Sequence, residues 1–353
     1  FTLGNAVIHF VVATVIFRKK LADRNLFYLI SGLVLVFITI AVPVQLDGNW
    51  VTLFWAFEAA LLFWIGRIKN IPFYEKLSYP LMLLGFFSLT QDWSNTYDRY
   101  YGSEETGFMP LVNVYFLSSL LFVAAFAFIN WVNRKKSPIA EGTKQHWLAK
   151  IMAFVIPSIF LFVLYSAFYL EIGHYMDLLL KDSEIMLQGG DATYPEYDSN
   201  TSLLDFGSIW KLIYTLLFLA LLAFVNIKKL KNRALGMVTL SLQLLAGLIF
   251  LAEGLYTLSE LRYAFINRAA SENFEIGFFH IGIRYVGIAF FGLLLFSIYR
   301  LVKSSFMKVD FKIPFQILLH ISILWIASSE LINWLDLAGS GQSYKLGLSI
   351  LWG

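Results

Sequence analysis

The chain alternates continuously apolar runs with short polar stretches. Ten runs have membrane-crossing length, about 17–25 residues. They cover roughly 2–17, 26–46, 50–66, 77–93, 111–132, 148–170, 208–226, 235–258, 278–300 and 313–335, and an eleventh opens near 344. None alternates with the period of two that marks a barrel strand, so each predicts a helix. The expected fold is all-α: a polytopic transmembrane helical bundle with about ten complete spans plus the start of an eleventh. Both ends fall within apolar runs. The expectation is a single transmembrane helical domain over 1–353, truncated at both ends. Pro43 and Pro157 lie inside the second and sixth runs. Each removes a helix hydrogen bond and predicts a kink.

Composition sharpens this picture. Of 353 residues, 58% are hydrophobic and 14% charged, too few charges to cover a water-soluble surface. The net charge of +3 is too small to draw phosphate backbones, which excludes nucleic acid as a partner. With no cysteine, the chain has no disulfide and no thiolate ligand for zinc or iron–sulfur clusters. The charge is unevenly spread. Loops near 20, 70, 140, 230 and 306 hold 20 of the 27 Lys and Arg residues. The alternate loops hold most of the acids. Ten spans put all five basic loops on one side, and the excess of Lys and Arg makes that side cytoplasmic. Residue 1 then starts on the outer side.

The cytoplasmic loops are short and carry no Gly-rich phosphate-binding loop. The longest external segment is the acidic loop 171–207, which includes GGDATYPEYDSNTS. Asp191, Glu196 and Asp198 lack the spacing of a calcium loop, so a solvated loop is expected there. A five-residue echo between TLFWA (52–56) and SILWG (349–353) follows a Gly-bearing turn in both places.

Three segments carry a resemblance: WVTLFWAFEAALLFWIGR (50–67), RYVGIAFFGLLLFSIYR (284–300) and the closing SYKLGLSILWG. They resemble elements of the bacterial integral-membrane family known as domain of unknown function 2339. The resemblance implies a cell-envelope protein of many helices and supplies no catalytic motif. With the charge asymmetry, it places the chain in the bacterial cytoplasmic (inner) membrane, with residue 1 on the periplasmic side.

Ionisable side chains within spans are expensive and mark candidate functional sites. Four stand out: Glu58, Glu253, Arg284 and Glu330. At 1.5 Å of rise per residue, all lie about 8–12 Å below the outer boundary. His9 enters the same layer from the first run. Glu253 and Arg284 sit on consecutive antiparallel runs, which predicts an ion pair. No pair of histidines has the spacing of a zinc helix, so no metal and no other cofactor is expected. The competing reading is that these groups glue helices together or reach toward headgroups.

The layer suggests a polar cavity in the outer half of the membrane, in a transporter-like or flippase-like protein. The expected partners are membrane lipids, a small solute or lipid headgroup, and a further envelope protein. A membrane-embedded envelope transferase and a non-catalytic structural or assembly subunit are the alternatives. An enzyme is the less favoured class.

Overall fold

The computed structural model describes residues 48–97, 108–134, 146–187, 197–267, 273–308, 311–340 and 343–353, with isolated positions before 48. The expected runs 2–17 and 26–46 lie largely outside the described residues, and His9 and Pro43 lie wholly outside them. The described chain is almost entirely helical. Its helices are α1 (Asn49–Ile68), α2 (Pro72–Tyr97), α3 (Val114–Asn133), α4 (His146–Asp182) and α5 (Ser202–Val225). They continue with α6 (Arg233–Ile249), α7 (Leu255–Asn267), α8 (Phe279–Val302), α9 (Lys312–Leu337) and α10 (Tyr344–Trp352). A π-helical turn, Asn226–Leu230, prolongs α5, and a second, Phe250–Gly254, joins α6 to α7.

Among the described residues, seven helices are long and apolar enough to cross a membrane. They match seven of the ten expected runs, so the count of ten is not reached. The run at 77–93 does form a helix, α2. Gln91, Asp92, Ser94 and Asn95 near its end dilute its apolar character below that of the other seven. The stretch 171–207 also differs from an all-loop reading. Helix α4 continues to Asp182 and α5 starts at Ser202. The apolar run stops at Glu171, but helical periodicity does not, and both Glu171 and His174 are buried. Between the helices, Ile185 pairs with Asp198 and Met186 with Tyr197 in a short antiparallel bridge of β1 and β2. Pro157 lies inside α4, and Pro80 inside α2.

The chain divides into two compact units, Phe1–Glu171 and Ile172–Gly353. In the first, α1 and α2 form a tight hairpin. Asn70 closes it with a left-handed φ of 54°, and Ile71 N–H donates to the Gly66 carbonyl at 3.0 Å. A Cβ on Gly66 would stand 2.6 Å from the Glu75 backbone nitrogen, so glycine is what lets these backbones approach. Ala56, Ala59 and Ala60 extend the close face, and Phe63, Met82, Phe122, Phe126 and Ile129 fill the core. Phe122 and Phe126 stack with centroids 4.6 Å apart.

In the second unit, α5 packs on α6 and α8. Its core includes Leu216, Phe250, Phe291 and Leu294, with Phe250 and Phe291 stacked at 4.8 Å. Buried polar groups are matched across helices: Gln243 Nε2 donates to Ser297 Oγ at 2.7 Å. The α5–α6 turn is pinned by buried Asn226. Its amide accepts from Asn232 N–H at 2.9 Å and donates to the Asn232 carbonyl at 3.0 Å.

Helix α9 differs from the rest, with only 6% of its apolar window buried. Phe315, Leu318 and Ile326 pack on the core, whereas Ile317, Ile321, Leu324 and Trp334 are exposed. That is a helix docked along one narrow face. In a membrane, its apolar remainder meets lipid.

Candidate functional site

The inward face of α9 changes character along its length. Apolar at Phe315, Leu318 and Ile326, it becomes polar at Ser329, Glu330, Asn333 and Asp336. Two cations meet the polar part. Arg284 of α8, only 1% exposed, pairs through Nε with Glu330 Oε1. Its Nη2 donates to Ser329 Oγ at 2.5 Å. Arg262 of α7 pairs through Nη2 with Asp336 Oδ2 at 2.6 Å. Three elements thus converge on one polar layer of the second unit.

The ion pairing departs from the sequence expectation at one point. Arg284 binds Glu330, not Glu253. The Glu253 side chain is exposed, and it lies in the π turn rather than on a regular helical face. Among the described residues it joins no ion pair. Arg262 and Asp336 were not singled out from sequence because hydropathy ends their runs too early; the helices continue past both. A signal was present: Glu330, Asn333 and Asp336 recur every three residues, a spacing that keeps side chains on one side of a helix.

The first unit holds Glu58 and three further polar networks. The half-buried Glu58 carboxylate accepts from Thr39 Oγ1 at 2.8 Å. Thr52 donates to Asp92 Oδ2 at 2.6 Å and bonds Ser88 at 2.5 Å, joining α1 to α2. Arg67 and Glu75 form a buried pair at 2.9 Å. Tyr79 donates to the same Glu75 oxygen at 2.8 Å, and Arg67 donates to Asn133 at 2.8 Å. Beyond the end of the 77–93 run, Glu171 accepts from Tyr97 Oη at 2.5 Å, Leu111 N–H at 2.7 Å and Asn113 Nδ2 at 3.0 Å. Burial, and then the bond to Glu171, pushes the Tyr97 phenol above its usual range. This network fixes the 109–113 segment to the helix ends.

The histidines stand apart from these networks. His280 is buried on α8 with its ring 4.9 Å from that of Phe206, and Nδ1 lies 3.0 Å from the Gly277 carbonyl. His320 is exposed and bonds only its own helix, at Gln316 O, 2.7 Å. Among the described residues, no group of three or more His, Asp or Glu is placed to hold a metal ion.

Long apolar helices in series, with ionised side chains buried between them, define a multi-pass helical membrane protein. The chain belongs to the family described as predicted membrane protein DUF2339, whose model matches residues 1–353. No curated protein and no solved structure matches it.

Proposed function

We propose that this is a multi-pass protein of the bacterial inner membrane that handles a small solute or lipid headgroup from its outer side, as a transporter or flippase does. The observation that carries the reading is the polar layer of Arg284, Glu330, Arg262 and Asp336 on three successive helices. Ionised groups at membrane depth are costly, and they gather where substrates and ions pass. Exposure of 22% at Glu330 and 20% at Asp336 leaves one side of this layer open. That openness favours a polar cavity in the outer half of the membrane over a sealed structural clasp. The topology that goes with this reading has ten complete spans and residue 1 in the periplasm.

Two experiments test it. Vesicles of phosphatidylethanolamine and phosphatidylglycerol reconstituted with the protein should exchange acyl-labelled phosphatidylethanolamine between leaflets faster than protein-free vesicles. Glu330→Gln should slow that exchange. Equal rates with and without protein would overturn the flippase reading. For topology, the natural absence of cysteine makes single-cysteine labelling clean. Lys229→Cys should be reached by a charged maleimide only from the cytoplasmic side, and labelling from the periplasm would reverse the assignment.

A further inference from the structure

Several buried polar atoms of the second unit have no hydrogen-bond partner among the described residues. Arg284 Nη1, Arg262 Nε, and both Nδ2 and Oδ1 of Asn333 are among them. These belong together. Arg284 and Arg262 are each tied to α9, through Glu330 and Asp336. Asn333 lies three residues from each of those acids. Successive steps of three along an α-helix drift by about 60°, so the three side chains share an arc of about 120° with Asn333 at its centre. Asn333 is 0% exposed on a helix whose apolar window is 6% buried. Its burial therefore comes from the docked face, the face that meets the two arginines. Each orphaned group costs about 1–3 kcal/mol when nothing satisfies it, and a site that keeps four together is built for a polar occupant.

Two features define that occupant. Donors outnumber acceptors: Arg284 Nη1, Arg262 Nε and Asn333 Nδ2 can donate, and only Asn333 Oδ1 accepts. An oxyanion answers such a set. The fixed charge leans the other way. Arg262 also feels Glu260, so two guanidiniums face three carboxylates, Glu260, Glu330 and Asp336. A bare anion would meet a surplus of negative charge. A molecule with an oxyanion at one end and an ammonium at the other satisfies both conditions.

We propose that α7, α8 and α9 form a binding site for a zwitterion. Its oxyanion takes the free N–H groups of Arg284, Arg262 and Asn333. Its ammonium lies against Glu260 and the partly exposed carboxylates of Glu330 and Asp336. A phosphoethanolamine headgroup and a free amino acid share this chemistry. The inference rests on the solute-handling reading above and names the substrate class of that same layer.

The test is thermal melting of the purified full chain in detergent with four probes: phosphoethanolamine, glycine, inorganic phosphate and ethanolamine. Ligand binding to the folded state raises the melting temperature in proportion to occupancy. One or both zwitterions should raise it at concentrations where phosphate and ethanolamine do not. Phosphoethanolamine alone points to a lipid headgroup, glycine alone to a free amino acid. Asn333→Leu should weaken zwitterion binding about tenfold, the loss of one charge-assisted hydrogen bond. It should melt no lower than the wild type, because an unsatisfied amide is gone. Should that variant not fold, the near-isosteric Asn333→Asp places a carboxylate against the oxyanion and should weaken binding at least as much. Equal shifts with phosphate and phosphoethanolamine, no shift with any probe, or unchanged binding in both variants would overturn the site. Binding without leaflet exchange would sink the transport reading alone. Exchange that is indifferent to Asn333→Leu would sink the zwitterion site alone.

Discussion

A guanidinium enclosed by protein has to be neutralised where it stands, and Arg67 is. Its side chain is 5% exposed and that of Glu75 is 0% exposed, with Tyr79, Asn133 and the face of Phe63 completing the enclosure. Removing one partner strands the other's charge. Glu75→Ala should cost about 3–5 kcal/mol, whereas Arg67→Met with Glu75→Leu should recover most of that loss. Reversible unfolding in mixed micelles would measure both. Tyr97→Phe is a milder case. It leaves Glu171 two kinds of amide donor and should cost about 1–2 kcal/mol in the same assay. Neither network was visible in the sequence. Arg67 and Glu75 read there as ordinary cytoplasmic loop charges, and Glu171 as the first residue of an external loop. Hydropathy locates the cost of a charge but not its partner. Partners arrive from helices far apart in the chain, as Glu330 does for Arg284 across 46 positions.

Helices were the legible scale, because 3.6-residue periodicity and apolar length survive any tertiary arrangement. All the runs from 50 onward appear as helices. Their ends were less legible: α4, α7 and α9 outlast their apolar runs by carrying polar residues that are satisfied inside the fold. The π turns left no trace in composition. At the first of them, Lys231 takes a left-handed φ of 50° while its N–H reaches the Asn226 carbonyl at 2.7 Å. That conformation costs a non-glycine residue about 1 kcal/mol, so Lys231→Gly should stabilise the protein by up to about that amount. Gly66→Ala acts in the opposite sense. Its Cβ would meet backbone rather than a movable side chain, forcing α1 from α2 at a cost of about 1–3 kcal/mol. Thermal melts of the two variants should move in opposite directions.

At the scale of the whole molecule, most of the exposed surface of these helices is apolar, as a lipid-solvated protein requires. Ile321 and Trp334 are 49% and 60% exposed on α9 without any apolar protein cover. Ile321→Cys should therefore react with a lipid-soluble maleimide and resist a charged one from either side. Reaction with the charged reagent would place this face in water. The π turn at Phe250–Gly254 bears on the same assembly in genetic terms. It holds one residue more than an α turn would. Loss of a single codon there, that of exposed Ala252 for example, keeps the reading frame and lets the helix close as ordinary α. Everything downstream then swings by about 100°. Arg262 would leave Asp336 while α5 and α6 kept their packing. Such a deletion should give a protein that still inserts and folds but has lost one of its two links to α9. Insertions and deletions at this turn would therefore separate the function of the polar layer from the stability of the bundle, which point substitutions at charged residues do not do.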